Sequence, residues 1–86
     1  MEETKDAEYK ELVESYGGRA VGLTFNPSNL LSVQVIKTAY AEIINDLNTS
    51  RNDTDDPEKK RLCSIAITEA QTSQMWAVKA VTWGVK

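Results

Sequence analysis

Between Pro57 and Gly84 the chain contains neither proline nor glycine, and this uninterrupted run sets most of what the protein can be. Asp56 is a good N-cap, and Pro57 suits the first helical position, where its missing N–H has no partner to lose. Glu58 complements the positive end of the helix dipole. The run predicts a helix over 56–84, roughly 40 Å long at 1.5 Å rise per residue. Upstream, Val33, Ile36, Tyr40, Ile43, Ile44 and Leu47 recur at helical spacing, which predicts a second helix over 30–48 with one buried stripe. That helix is roughly 25 Å long. The polar stretch 49–55 has no periodicity and reads as a mobile loop. The result is an antiparallel hairpin whose longer helix overhangs its partner.

The overhang needs a cover. Ala66, Ala70, Ser73, Ala77, Ala80 and Gly84 form a seam of small residues at four- and three-residue steps, which lets two helix backbones approach closely. Leu62, Ile65, Trp76 and Trp83 flank one side of the seam, and Ile67, Val78, Val81 and Val85 the other. Apolar surface therefore covers more of this helix than one antiparallel partner can bury. The chain has 86 residues, enough for a single domain, 1–86, with a marginal core. Small scaffolds find extra stability in disulfides, metals or oligomers. Cys63 is the one cysteine and histidine is absent, so self-association is the remaining route.

The N-terminal part divides at glycine. Tyr9, Leu12, Val13 and Tyr16 share one face of a helix over 1–18, which Gly17-Gly18 is expected to stop. Val21, Leu23 and Phe25 then alternate with Ala20, Gly22 and Thr24, the period of an extended segment. Residues 19–29 read as an extended arm lying across the helices, ending in the turn Asn26-Pro27-Ser28-Asn29. The expected fold class is all-α: a short N-terminal helix and extended arm, then a long antiparallel helical hairpin, assembled as a homo-oligomer.

Several chemistries are excluded or unsupported. Without histidine there is no Ser-His or Cys-His arrangement and no imidazole base. Nothing activates Cys63, which reads as a small apolar residue. The Gly17–Gly22 stretch lacks phosphate-loop spacing and follows a helix, not a strand. Asp53, Asp55 and Asp56 lack the central glycine and closing glutamate of a calcium loop. Asp6 and Glu8 show no shared cleft. The reading is a non-enzyme with no cofactor and no metal. Ten basic residues against thirteen acidic ones, net charge −3, argue against duplex nucleic acid. The charged start Met1–Asp6 has no apolar core of a secretory signal, and no stretch is long enough to span a bilayer, so a cytoplasmic location is expected.

Cations beside aromatic or apolar residues remain. Arg19 adjoins the arm, Lys37 interrupts the apolar stripe three residues before Tyr40, and Lys79 follows Trp76 by three. Two readings are open for each lysine: its ammonium snorkels to solvent, or it meets a phosphate while Tyr9, Tyr16 or Phe25 stacks on a base.

The stretch Asp56–Thr82, with Ile65-Ala66-Ile67-Thr68, Gln71 and Met75-Trp76-Ala77-Val78-Lys79-Ala80, resembles the C-terminal helix of phage-encoded anti-CBASS cyclic-oligonucleotide sponges. The related anti-Thoeris sponges share this hairpin. Phe25-Asn26-Pro27-Ser28 followed by Val35-Ile36-Lys37 is similar to the family's N-terminal half. The resemblance covers most of residues 19–82. It implies a hexamer of hairpins that sequesters cyclic dinucleotides such as cGAMP, and in some members cyclic trinucleotides, without cleaving them, inside an infected bacterial cell. Downstream immune effectors are thereby starved of their activator.

By position, the resemblance implies that Lys37 pairs with ligand phosphate. It also implies an N-terminal aromatic on a base, Tyr9 first, with Tyr16 and Phe25 behind it. Thr24, Asn26 and Ser28 offer donors from the adjoining segment. A second, trinucleotide pocket would use Arg61, Thr68 and the small Ala80. Many members carry arginine just before the motif threonine, where this chain has Ile67, and that departure counts against the second pocket. The alternative from a different class is a helical homo-oligomer that binds and inhibits or scaffolds a host protein.

Overall fold

The computed structural model describes residues 2–85, with side chains described from Ala7 to Val85. Among the described residues the protein is all-helical: α1 spans Glu2–Glu14, α2 Tyr16–Val21, α3 Leu31–Asn52 and α4 Pro57–Thr82. The last two form the hairpin. Tyr40 meets Ser73 and Arg51 meets Ser64, so numbers rise along one helix as they fall along the other. Asp56 caps α4 as its sequence requires, one carboxylate oxygen accepting from Glu58 N at 3.0 Å.

Two segments depart from the sequence reading. The stretch expected to loop from residue 49 stays helical to Asn52. No proline or glycine interrupts it, and Arg51 fastens it by donating to Asn48 Oδ1 at 2.7 Å and Ser64 Oγ at 3.1 Å. The guanidinium also lies 5.5 Å from the centre of the Tyr16 ring. With 22 residues in α3 and 26 in α4, the helices measure about 33 and 39 Å, so the overhang is smaller than expected.

The expected extended arm is the second correction. Ser15, not the glycine pair, breaks the N-terminal helix. It takes an extended conformation and its hydroxyl accepts from Gly18 N, starting α2 with the glycines in its first turn. Gly17 serves close approach here. A Cβ on it would sit 2.0 Å from the carbonyl oxygen of Ala41 on α3. The Gly17 N–H donates to Asn45 Oδ1 at 2.7 Å, and Asn45 Nδ2 donates to Ser15 Oγ at 2.9 Å, so the α1–α2 junction is keyed to α3. Gly22 closes α2 in the left-handed conformation at φ 60°, its N–H returned to Arg19 and Gly18 carbonyls. Val21 and Leu23 are buried because they end a helix and enter a turn, which imitates strand alternation in the sequence.

The core is Val21, Leu23, Ala41, Ile44 and Ile67, flanked by Leu12, Val13, Ala20, Tyr40, Leu47 and Ala70. Full burial of Leu23 and Ile44 contributes about 1.5–3 kcal/mol each. The buried stripe of α3 runs Val33, Lys37, Ala41 and Ile44, displaced from the one expected, and Ile43 is left exposed. Two helices press on this face, and small Ala41 lets α2 approach. On α4 the inward residues are Cys63, Ile67 and Gln74. Leu62, Ile65, Trp76 and Trp83 lie outside, as do Ser73, Ala80 and Gly84 of the small-residue seam. Among the described residues, no helix is long and apolar enough to cross a membrane.

Candidate functional site

Lys37 is 5% exposed on the inward stripe of α3, and the turn after α2 explains why a cation is tolerated there. Leu23 N bonds to Gly18 O at 3.0 Å and Phe25 N to Gly22 O at 2.8 Å, folding the backbone back on itself. The turn aims two carbonyls at the ammonium. Nζ donates to Gly22 O at 3.0 Å and Phe25 O at 2.5 Å, and lies 5.3 Å from the centre of the Phe25 ring. Burial pushes its pKa below the ordinary lysine value. An ammonium has three donors, so two are satisfied here. The one salt bridge among the described residues joins Arg61 to Glu58, so none of their carboxylates pairs with Lys37. A cation held by neutral dipoles makes its surroundings attractive to an anion.

Lys37 opens onto a groove of about 510 Å³ between the α2 turn and α4, lined also by Phe25, Gln71, Gln74, Met75 and Val78. That volume lies in the roughly 300–1,000 Å³ range of small-molecule sites. A smaller cavity of about 110 Å³ shares Phe25, Lys37 and Val78 with it and adds Asn26, Ser28 and Thr82. Phe25, 71% exposed, stands between the two.

The expected site residues separate into groups. Lys37 and Phe25 are together, with Asn26 and Ser28 at the smaller cavity. Asn26 already bonds both backbone groups of Leu30, at 2.9 and 3.2 Å, and so acts as a turn brace. Thr24 is exposed on the turn and lines neither space. Tyr16 lines an adjoining hollow with Arg19, Ala20 and Gln71, the last two shared with the main groove. Tyr9 lies apart, in a hollow with Glu8, Leu12, Thr38 and Glu42 whose carboxylates disfavour phosphate. Arg61 and Thr68 line another shallow hollow with Ser64, Ile65 and Glu69, and Ala80 is not part of it. The Arg61 guanidinium is engaged by Glu58 through two bonds of 2.9 and 2.7 Å. Lys79 lies 5.3 Å from the Trp76 ring centre.

Sequence reasoning missed Gln71, Gln74 and Val78 as groove residues. A signal existed for Gln74: with Cys63, Ile67 and Ala70 it continues an inward stripe at four-, three- and four-residue steps, a polar residue where an apolar one is expected.

A helical hairpin with a turn folded over a buried cation, open to a groove of this size, defines a small ligand-binding scaffold. Residues 19–82 match the family model Acb2/Tad1, hairpin domain, and the chain belongs to that family, the anti-CBASS and anti-Thoeris sponges. The resemblance drawn from the sequence is thus borne out. The family implies a sponge-type anti-defence role in binding cyclic nucleotides. No curated protein and no solved structure matches the chain.

Proposed function

We propose that this protein captures cyclic dinucleotides in the groove beside Lys37 and holds them intact, withholding the messenger from a CBASS effector. The observation that carries this reading is the buried Lys37, held by backbone carbonyls and opening onto a groove with two amides and an aromatic ring, within the segment that matches the sponge family. The third N–H of Lys37 meets ligand phosphate, and Phe25 and Tyr16 are the nearest faces for bases. Retention without cleavage suits this lining, whose polar side chains are an ammonium and amides, with no ready nucleophile or base.

Copies of the chain assemble through the apolar surface left on the hairpin, where Leu31 is 77%, Trp76 65% and Trp83 79% exposed. In such an assembly Tyr9 of one copy reaches the groove of another, and six copies form the sponge. The separate hollow at Arg61 and Thr68 is the weaker candidate for a trinucleotide, since Glu58 already occupies the guanidinium.

Titration calorimetry with a panel of cyclic di- and trinucleotides tests the reading. Heat of binding at micromolar concentration or below is expected, with the unaltered ligand recovered after the protein is denatured. No heat beyond dilution for any of them, or recovery of hydrolysed product, sinks it.

A further inference from the structure

Gln74 is 6% exposed on the inward face of α4 and lines the groove beside Lys37. Its neighbour one turn earlier, Gln71, donates to Ala20 O at 3.4 Å. The Gln74 amide has no partner among the described residues. Every fully occluded side-chain nitrogen or oxygen there has one, so the Gln74 amide keeps a face toward the groove. The donor and acceptor of that amide are therefore free to meet a ligand, and methionine would fill the same space without them.

We propose that Gln74 reads the N7 edge of a nucleobase in this groove and takes adenine in preference to guanine. The inference rests on the cyclic-nucleotide reading and adds the residue that selects the base. A primary amide places an acceptor beside a donor. On its N7 edge adenine presents the complement, the N6 amino group beside the N7 acceptor, and glutamine pairs with it there in bidentate fashion. The N7/O6 edge of guanine shows two acceptors, which one amide cannot satisfy. Twin acceptors call for a cation, and the nearby ammonium gives two N–H groups to the Gly22 and Phe25 carbonyls and its third to phosphate in the reading above.

Calorimetric titration of the full chain with cyclic di-adenylate and cyclic di-guanylate tests this. The unaltered protein is expected to bind cyclic di-adenylate about tenfold more tightly, the scale of one good bidentate contact. Gln74→Met should bring the two ligands within about twofold of each other while keeping the melting temperature of the parent, because the apolar side chain occupies the same space. Gln74→Lys should invert the preference, since an ammonium donates to the two acceptors, N7 and O6, of guanine.

Equal affinities in the unaltered protein overturn the inference, as does a tenfold ratio that survives both substitutions. Binding of neither ligand by the unaltered protein removes the cyclic-dinucleotide reading and this inference with it, whereas binding with an unmoved ratio removes this inference alone. The unaltered ratio keeps the test decisive where a variant does not fold.

Discussion

The Lys37 ammonium donates to the backbone carbonyl of Phe25 and lies 5.3 Å from the centre of the same residue's ring. One side chain therefore fixes both the path of the α2–α3 turn and the position of the aromatic at the groove mouth. Its pKa is lowered by burial, so in the interval between that lowered value and the ordinary lysine value the unfolded chain binds more protons than the folded one. In that alkaline interval stability from this group rises with pH, and below it the contribution is flat. Lys37→Met should abolish this rise in a series of urea unfolding curves taken across alkaline pH. The same variant should lose about 1.5 kcal/mol or more of cyclic dinucleotide affinity, the lower end for hydrogen bonds to charged groups. Unchanged affinity would place Lys37 outside the binding site and leave it a purely structural residue.

Gly17 touches the α3 backbone so closely that a methyl group cannot enter, its Cβ falling 2.0 Å from Ala41 O. Gly17→Ala should destabilise the protein by about 3 kcal/mol, as overpacking against an unyielding backbone does. Thermal unfolding measures it. A variant melting within a degree or two of the parent would mean that α2 does not sit on α3 as described.

Asn45 is the polar key at the same junction, accepting from Gly17 N and donating to Ser15 Oγ. Asn45→Ala leaves a half-buried N–H without its partner and should cost about 1–3 kcal/mol. Hydrogen exchange should show faster exchange at Gly17 and Gly18 and little change in the middle of α4. Uniformly faster exchange throughout would argue that Asn45 supports the whole fold and not this junction.

Trp76 is 65% exposed, with the Lys79 ammonium over its ring. Trp76→Glu should shift the sedimenting species to a smaller one while the helical circular-dichroism signal persists, because a carboxylate in a dry interface is strongly unfavourable. A parent protein that already sediments as a folded single chain would remove self-assembly. The apolar surface would then point to a host protein, which capture from bacterial lysate could identify as one stoichiometric partner.

The hairpin was legible because its signals are local and redundant. Asp56-Pro57 starts α4, and no proline or glycine interrupts it before its end at Thr82, two residues short of the expected Gly84. The path between the N-terminal helix and the hairpin was not legible, because Gly17, Val21 and Leu23 owe their identities to α3 and not to their neighbours in sequence. A glycine that permits close approach and one that ends a helix look alike until the partner is known. Lys37 stood out because a cation breaks an apolar stripe, and the family resemblance gave it a role, yet its anchoring carbonyls belong to a turn 12 and 15 residues away. The grouping of Phe25 with Lys37, and the isolation of Tyr9 among carboxylates, follow from tertiary contacts that periodicity does not encode.

Gly22 ends α2 through its N–H and receives Lys37 through its carbonyl, and Phe25 likewise contributes main-chain oxygen. The cation is thus moored to atoms common to every amino acid. Side chains at positions 24 and 25 can drift over generations without releasing it. The rim of the groove can thus be re-dressed by substitution while its charged floor stays put.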